Sequence, residues 1–193
     1  MSQTVARSTP RTRVISLILT GTAVAVASLF LYQSAVVQSV VSPAPQYGDV
    51  LPDGVTAFDD DYAGIVNLDP ALLDALRSAA SAAAAGGIHV SVTSGWRSPE
   101  YQNQLLSEAV DEYGSAEEAA RWVATADTSP HVTGDAVDIG SYDAMDWMAQ
   151  YGSAYGLCQI YGNEPWHYEL RTDAAASGCP QMYADPTEDP RMG

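Results

Sequence analysis

The sequence predicts an α+β fold in which an antiparallel sheet is flanked by helices, and three observations carry that prediction. Helix signals come first along the chain and strand signals gather later. The strand-like stretches are short. Nowhere do strand and helix alternate with the regularity that parallel βαβ units require.

The first helix opens at Asp69-Pro70, an N-cap acid followed by proline at the first helical position. An alanine-rich run carries it to Ala85, and Gly86-Gly87 ends it. Leu72, Leu73, Leu76, Ala79 and Ala80 form its buried face. Ile88, Val90 and Val92 then alternate with His89, Ser91 and Thr93, the period of a half-buried strand with His89 on its polar side. Ser98-Pro99 opens a second helix through about Tyr113, and Ser115 with Glu118 makes a capping box for a third, running to about Ala126. Asp127 to Pro130 reads as a loop and Gly134 to Ile139 as a strand. Ser141 caps a helix to about Tyr151, and Leu157 to Tyr161 and Trp166 to Leu170 are the last two strands. The tail beyond Cys179, with Pro180, Pro186 and Pro190, reads as poorly ordered.

A chain of 193 residues suits one domain with a real core. Eight arginines and no lysine face twenty-four acids, for a net charge of -16. Arg7, Arg11 and Arg13 precede the first acid, Asp49, so the remainder is more acidic still. Such a surface repels phosphate backbones and argues against nucleic acid as a partner. Asp59-Asp60-Asp61 lacks the glycine and distal glutamate of a calcium loop and reads as solvated.

Val14 to Tyr32 is a run of nineteen uncharged residues directly after the three arginines. That length crosses a hydrocarbon layer about 30 Å thick, and the basic flank keeps the amino end in the cytoplasm. A cleaved signal peptide, with small residues at Ala25-Val26-Ala27, is the competing reading. The anchor is favoured because the apolar run continues through Val36, Val37, Val40 and Val41. Either way the remaining chain is expected outside the cytoplasm, where Cys158 and Cys179, the only cysteines, would pair and contribute about 3 kcal/mol.

The chemistry gathers in three stretches. Ser129 to Gly140 puts His131 and Asp138 around a turn at Gly134, with Ala136 and Asp138 on one side of a strand. Glu164-Pro165-Trp166-His167 adds a second histidine with a carboxylate three residues before it. His131, Asp138 and His167 are the three ligands a catalytic zinc needs, with a fourth position left open. Glu164 is placed to act as a base on water near such an ion without binding it. Arg97, in Ser94-Gly95-Trp96-Arg97-Ser98, suits carboxylate binding or stabilisation of an oxyanion, though position alone also allows a salt-bridge role.

Ser94-Gly95-Trp96-Arg97-Ser98 with Gln102 and Leu105, then Ser129, His131, Gly134, Ala136 and Asp138, then Glu164-Pro165-Trp166-His167, resemble in order and spacing the three signatures of the VanY-type zinc D-alanyl-D-alanine carboxypeptidases. The resemblance covers roughly Leu68 to Leu170; Trp96 stands where another aromatic, often tyrosine, is usual. It implies the fold shared with the Hedgehog amino-terminal domain. By the same resemblance His131, Asp138 and His167 would bind Zn2+, Glu164 would be general base and acid, Arg97 would hold substrate or oxyanion, and Gln102 and Ser129 would line the substrate site. The implied substrate is a peptidoglycan stem peptide ending in D-Ala-D-Ala.

The chain then divides into a cytoplasmic basic tail (1–13), a transmembrane anchor or uncleaved signal (14–41), a linker (42–67), a peptidase domain (68–180) and a tail (181–193). The cell membrane is the expected location, with secretion if the amino-terminal segment is cleaved. Two alternatives stay open: an L-alanyl-D-glutamate peptidoglycan endopeptidase, and a non-catalytic zinc-containing module that binds cell wall. Nothing in the sequence fixes an oligomeric state.

Overall fold

The computed structural model describes residues 50–192, so the basic tail, the expected anchor and the start of the expected linker lie outside the described residues. Among the described residues no helix is long and apolar enough to cross a membrane. In chain order the helices are α1 (Ala63–Val66), α2 (Pro70–Ala85), α3 (Pro99–Tyr113), α4 (Ala116–Ala119), α5 (Pro130–Thr133), α6 (Tyr142–Tyr151) and α7 (Ala174–Ser177). Four strands, β1 (Ser91–Ser94), β2 (Ala136–Gly140), β3 (Leu157–Gln159) and β4 (His167–Leu170), form one sheet in the order β1-β2-β4-β3. Every neighbouring pair is antiparallel, as the α+β reading expects.

Helix α2 forms where its cap and composition place it. The Asp69 carboxylate accepts from the backbone N–H groups of Ala71 and Leu72, at 2.8 and 3.2 Å, satisfying two donors that a helix start leaves orphaned. Its apolar face, Leu72, Leu73, Leu76, Ala79, Ala80 and Ala83, is buried. That face joins Ala144 and Met148 of α6 and the inward side of the sheet, Val92, Val137, Ile139, Leu157 and Tyr168, in the main core. Because side chains alternate across a strand, burying Val137, Ile139 and Tyr168 in this core sends Asp138, His167 and Glu169 to the opposite face. The site follows from that division.

Several segments differ from expectation. The stretch expected as linker contributes Val55, Ala57 and Ile65 to the main core and includes α1. The third helix keeps its serine cap, Ser115 accepting from the Glu118 N–H at 3.1 Å, but stops at Ala119 instead of near Ala126. There the chain turns, and the Ala124 carbonyl accepts from the side-chain amide of Gln102 at 2.9 Å. One helical turn, α5, lies where the sequence suggested only a loop and the approach to a strand. Strand β3 ends at Gln159, two residues short of the expected Tyr161.

The tail beyond Cys179 is the largest correction, because it is built into the fold. The Cys158–Cys179 disulfide forms as expected. From it the chain passes beside the residues that follow β3, where the Tyr183 N–H donates to the Ile160 carbonyl and the Gly162 N–H to that of Tyr183. Asp185, Pro186 and Asp189 are buried. Proline content argued for disorder; ion pairs to distant residues, invisible to local composition, override it.

Candidate metal centre

Asp138 and His167 meet because they are direct cross-strand partners in the β2–β4 register. On the other side of β2, Ser94 pairs with Asp138 after an irregularity between Val92 and Ser94 in β1, which re-aims the chain leaving that strand across the site. His131 arrives from α5, and the segment after β1 holds that turn in place. The Arg97 N–H donates to the His131 carbonyl at 3.1 Å, and the Trp96 indole N–H to the Val132 carbonyl at 3.0 Å. Two glycines make the approach possible. A Cβ on Gly95 would lie 1.9 Å from the Gly64 carbonyl oxygen, and one on Gly134, which has φ of +83°, would lie 2.5 Å from that of Asn67.

Three donor atoms converge. His131 Nε2 lies 3.2 Å from His167 Nδ1, and Asp138 Oδ1 lies 3.4 Å from the first and 3.2 Å from the second. Tetrahedral ligands on bonds of zinc–nitrogen length stand about 3.3 Å apart, so this triangle already has the edge a zinc ion needs. Imidazole and carboxylate also suit it chemically. The outward ring nitrogens are fixed as well: the Nδ1–H of His131 donates to the Gly95 carbonyl at 2.8 Å, and His167 Nε2 faces Glu169 Oε1 at 3.3 Å. Each imidazole thus turns one nitrogen to the centre while the other is held from behind.

The electrostatics follow from burial among these charges. Burial disfavours charge on Asp138, but His131, His167 and Arg97 outweigh it and hold its carboxyl well below the usual carboxylate range. Burial, aided by Arg97, lowers His131 against the pull of Asp138. In His167 burial is overcome by hydrogen bonds to Asp138 and Glu169, which raise it to about 9. Burial pushes Glu164 up to about 7 against the opposing effect of His167. Its Oε2 lies 3.7 Å from His167 Nδ1, while its Oε1 is buried with no hydrogen-bond partner among the described residues. A buried oxygen left unpaired is costly unless something else engages it.

All seven residues singled out in the sequence line one cleft: Arg97, Gln102, Ser129, His131, Asp138, Glu164 and His167. The arginine is more constrained than a free anion clamp. Its Nε donates to Ser94, one terminal nitrogen to Gln102 at 3.2 Å and the other to Asp138 at 2.7 Å. One N–H on each terminal nitrogen remains for an incoming oxygen. Gln102 is a brace, receiving Arg97 and donating to Ala124. Ser129, buried at the start of α5, spends no side-chain bond on capping.

Sequence reasoning missed Glu169 and the returning tail. Glu169 is fully buried behind His167, and burial alone would raise it; hydrogen bonds from His167 and Arg191 keep it below the ordinary range instead. Its signal was available, since two residues after His167 on a strand is the same face. Tyr161, Pro186 and Met192 also line the cleft, and the Tyr161 ring packs 5.1 Å from that of His167. No local pattern pointed to Met192.

The model of the VanY D-alanyl-D-alanine carboxypeptidase family matches residues 66–173, more than half of the chain. The chain belongs to the VanY family. A D-alanyl-D-alanine carboxypeptidase of Enterococcus faecalis is 34% identical over 112 residues, covering 45% of this chain and 42% of the relative, so the chain spans well under half of that protein's length. Among solved structures, a zinc(II) complex of a mutant vancomycin-resistance D,D-pentapeptidase VanY from a VanB-type cassette is 29% identical, with a TM-score of 0.53 over 57% of this chain and 76% of that one. The D-alanine-D-alanine complex of VanYB gives 28% and 0.53, covering 57% and 78%. The LdcB LD-carboxypeptidase gives 25% and 0.51, covering 65% and 68%. The shared architecture is the Hedgehog/DD-peptidase-like fold that the resemblance implied. Within this VanY-family chain every site residue from Arg97 to Glu169 falls inside the matched stretch, whereas Met192 and the rest of the returning tail fall outside it.

Proposed function

We propose that this domain is a zinc-dependent D-alanyl-D-alanine carboxypeptidase that trims peptidoglycan stem peptides outside the cytoplasm. The observation that carries the reading is the zinc-sized triangle of His131, Asp138 and His167 beside a buried Glu164 oxygen without a partner. Family membership supports it, as does the zinc(II) bound by a VanY relative and the D-alanine-D-alanine bound by VanYB. The disulfide supports an oxidising compartment, and the apolar segment 14–41 is proposed as the tether.

His131, Asp138 and His167 would hold the ion. When bound, zinc supplies a Lewis acid and brings the pKa of water toward about 7. Glu164 then takes the proton from the attacking water and returns it to the amine of the departing D-alanine. Arg97, held by Ser94, Gln102 and Asp138, presents its remaining N–H groups to the carbonyl oxygen as it gains charge, or to the substrate carboxylate. Ser129 offers a hydroxyl at the cleft wall. No serine acyl-enzyme arises on this route, so β-lactams would find no nucleophile to trap.

Mass spectrometry of a muropeptide pentapeptide incubated with the protein tests the proposal. Loss of one alanine, abolished by a chelator and restored by zinc, is the expected result. Internal cleavage would replace it with the endopeptidase reading, and no cleavage by zinc-loaded protein would leave a binding module.

A further inference from the structure

The strap formed by the last residues reaches the metal centre from behind. Arg191 places a bidentate guanidinium on Glu169, with Nη1 2.6 Å from Oε2 and Nη2 3.1 Å from Oε1. Its Nε lies 3.0 Å from both carboxylate oxygens of buried Asp189, which also accepts the Tyr161 hydroxyl at 3.0 Å. Glu169 Oε1 is in turn the atom that faces His167 Nε2 at 3.3 Å. A second arginine, Arg171, reaches Glu169 only through Oε2, at 2.8 Å. Among the described residues, the oxygen that meets the imidazole therefore has Arg191 as its sole arginine contact.

We propose that Arg191 is a positioning residue for the metal site, acting through Glu169 to fix the ring of His167, so that the carboxy-terminal strap is part of the metal-binding apparatus. The inference rests on the zinc reading given above. A bidentate guanidinium fixes the plane of a carboxylate as a point charge does not. A carboxylate fixed in plane restricts the imidazole that bonds to it, and partners behind a ligating histidine govern metal affinity. Without Arg191 the Glu169 side chain keeps Arg171 on one oxygen and can rotate the other away from His167. The family match ends at residue 173, short of Arg191, so this support is contributed by a segment beyond the shared pattern. The Cys158–Cys179 disulfide and the Tyr161–Tyr183 bridge anchor the strap on the way to its end.

The test compares the parent full chain with Arg191→Ala, Arg191→Lys and Glu169→Gln, reading zinc affinity by competition with a chromophoric chelator. The visible spectrum of each cobalt(II)-substituted protein and the melting of each metal-free protein are recorded alongside. The expected result is zinc affinity weaker by about ten- to a hundredfold in Arg191→Ala and Glu169→Gln. Partial recovery is expected in Arg191→Lys, with altered cobalt band intensities wherever affinity falls. Affinity within twofold of the parent in Arg191→Ala would overturn the proposal. So would a deficit that vanishes on cooling to where the metal-free variant is fully folded, since the strap would then contribute stability alone. A parent chain that binds no zinc would overturn the metal reading itself, an outcome distinct from a parent that binds and variants that match it.

Discussion

At the scale of single residues, the site divides donors from the groups that steer them. Glu164 is near the triangle without being a corner of it, so Glu164→Ala is expected to keep zinc and lower turnover by about two to four orders of magnitude. His167→Ala is expected to lose both. Metal content of dialysed protein, measured beside D-alanine release, separates the two; an active Glu164→Ala protein would remove the assigned base. Gly95 gives a prediction of another kind. Its missing Cβ is where the Gly64 carbonyl sits, so Gly95→Ala must displace backbone and is expected to lower stability by about 3 kcal/mol, read from urea denaturation. Residue identities were the most legible part of the site. Histidine is scarce here, and two of the three histidines lie beside carboxylates in short motifs. The roles of Gln102 and Arg97 were less legible, because what each braces lies far along the chain.

At the scale of elements, what could be read was whatever is encoded within one turn or one strand. The caps at Asp69 and Ser98 formed, and Val90 and Val92 are buried as the alternation expects, although the strand read from Ile88 to Thr93 begins only at Ser91 and runs to Ser94. What could not be read was set by other segments. The helix after Ser115 ends at Ala119 and the chain beyond it gives the Ala124 carbonyl to Gln102, while the tail is tied down by the arginine partners of Asp185 and Asp189. Those acids carry a pH prediction. Burial would raise both, but in Asp185 the bonds from Thr187 and Arg121, and in Asp189 those from Arg191 and Tyr161, hold the folded values below the ordinary range. A lowered folded pKa means the stabilisation is complete above the unfolded value near 4 and is lost as pH falls through the lower folded values. The strap is therefore expected to loosen in acid below about pH 4, visible as faster backbone hydrogen exchange around residues 183–192 while α2 stays protected. Uniform protection down to pH 2 would contradict this.

At the scale of the whole molecule, the sheet order explains why fold class was easier to read than topology. Composition and element order announced α+β, yet nothing local says that β2 pairs with β4 while β3 takes the edge. That pairing is what brings the middle and the end of the chain to one centre. The molecule's one covalent cross-link has a measurable share in its stability. Reduction is expected to cost about 3 kcal/mol, seen as a lower urea midpoint in dithiothreitol, and an unchanged midpoint would deny the bridge that share.

The position of that bridge also bears on how the protein would age in a compartment rich in proteases. Residues 175–180 are exposed, and all but the last two precede Cys179, so a cut just before Gly178 falls inside the loop that the bridge closes. The two fragments would migrate together on a non-reducing gel and separate once thiol is added. A nicked molecule could then keep its carboxy-terminal piece seated, with Arg191 still on the Glu169 carboxylate that faces His167.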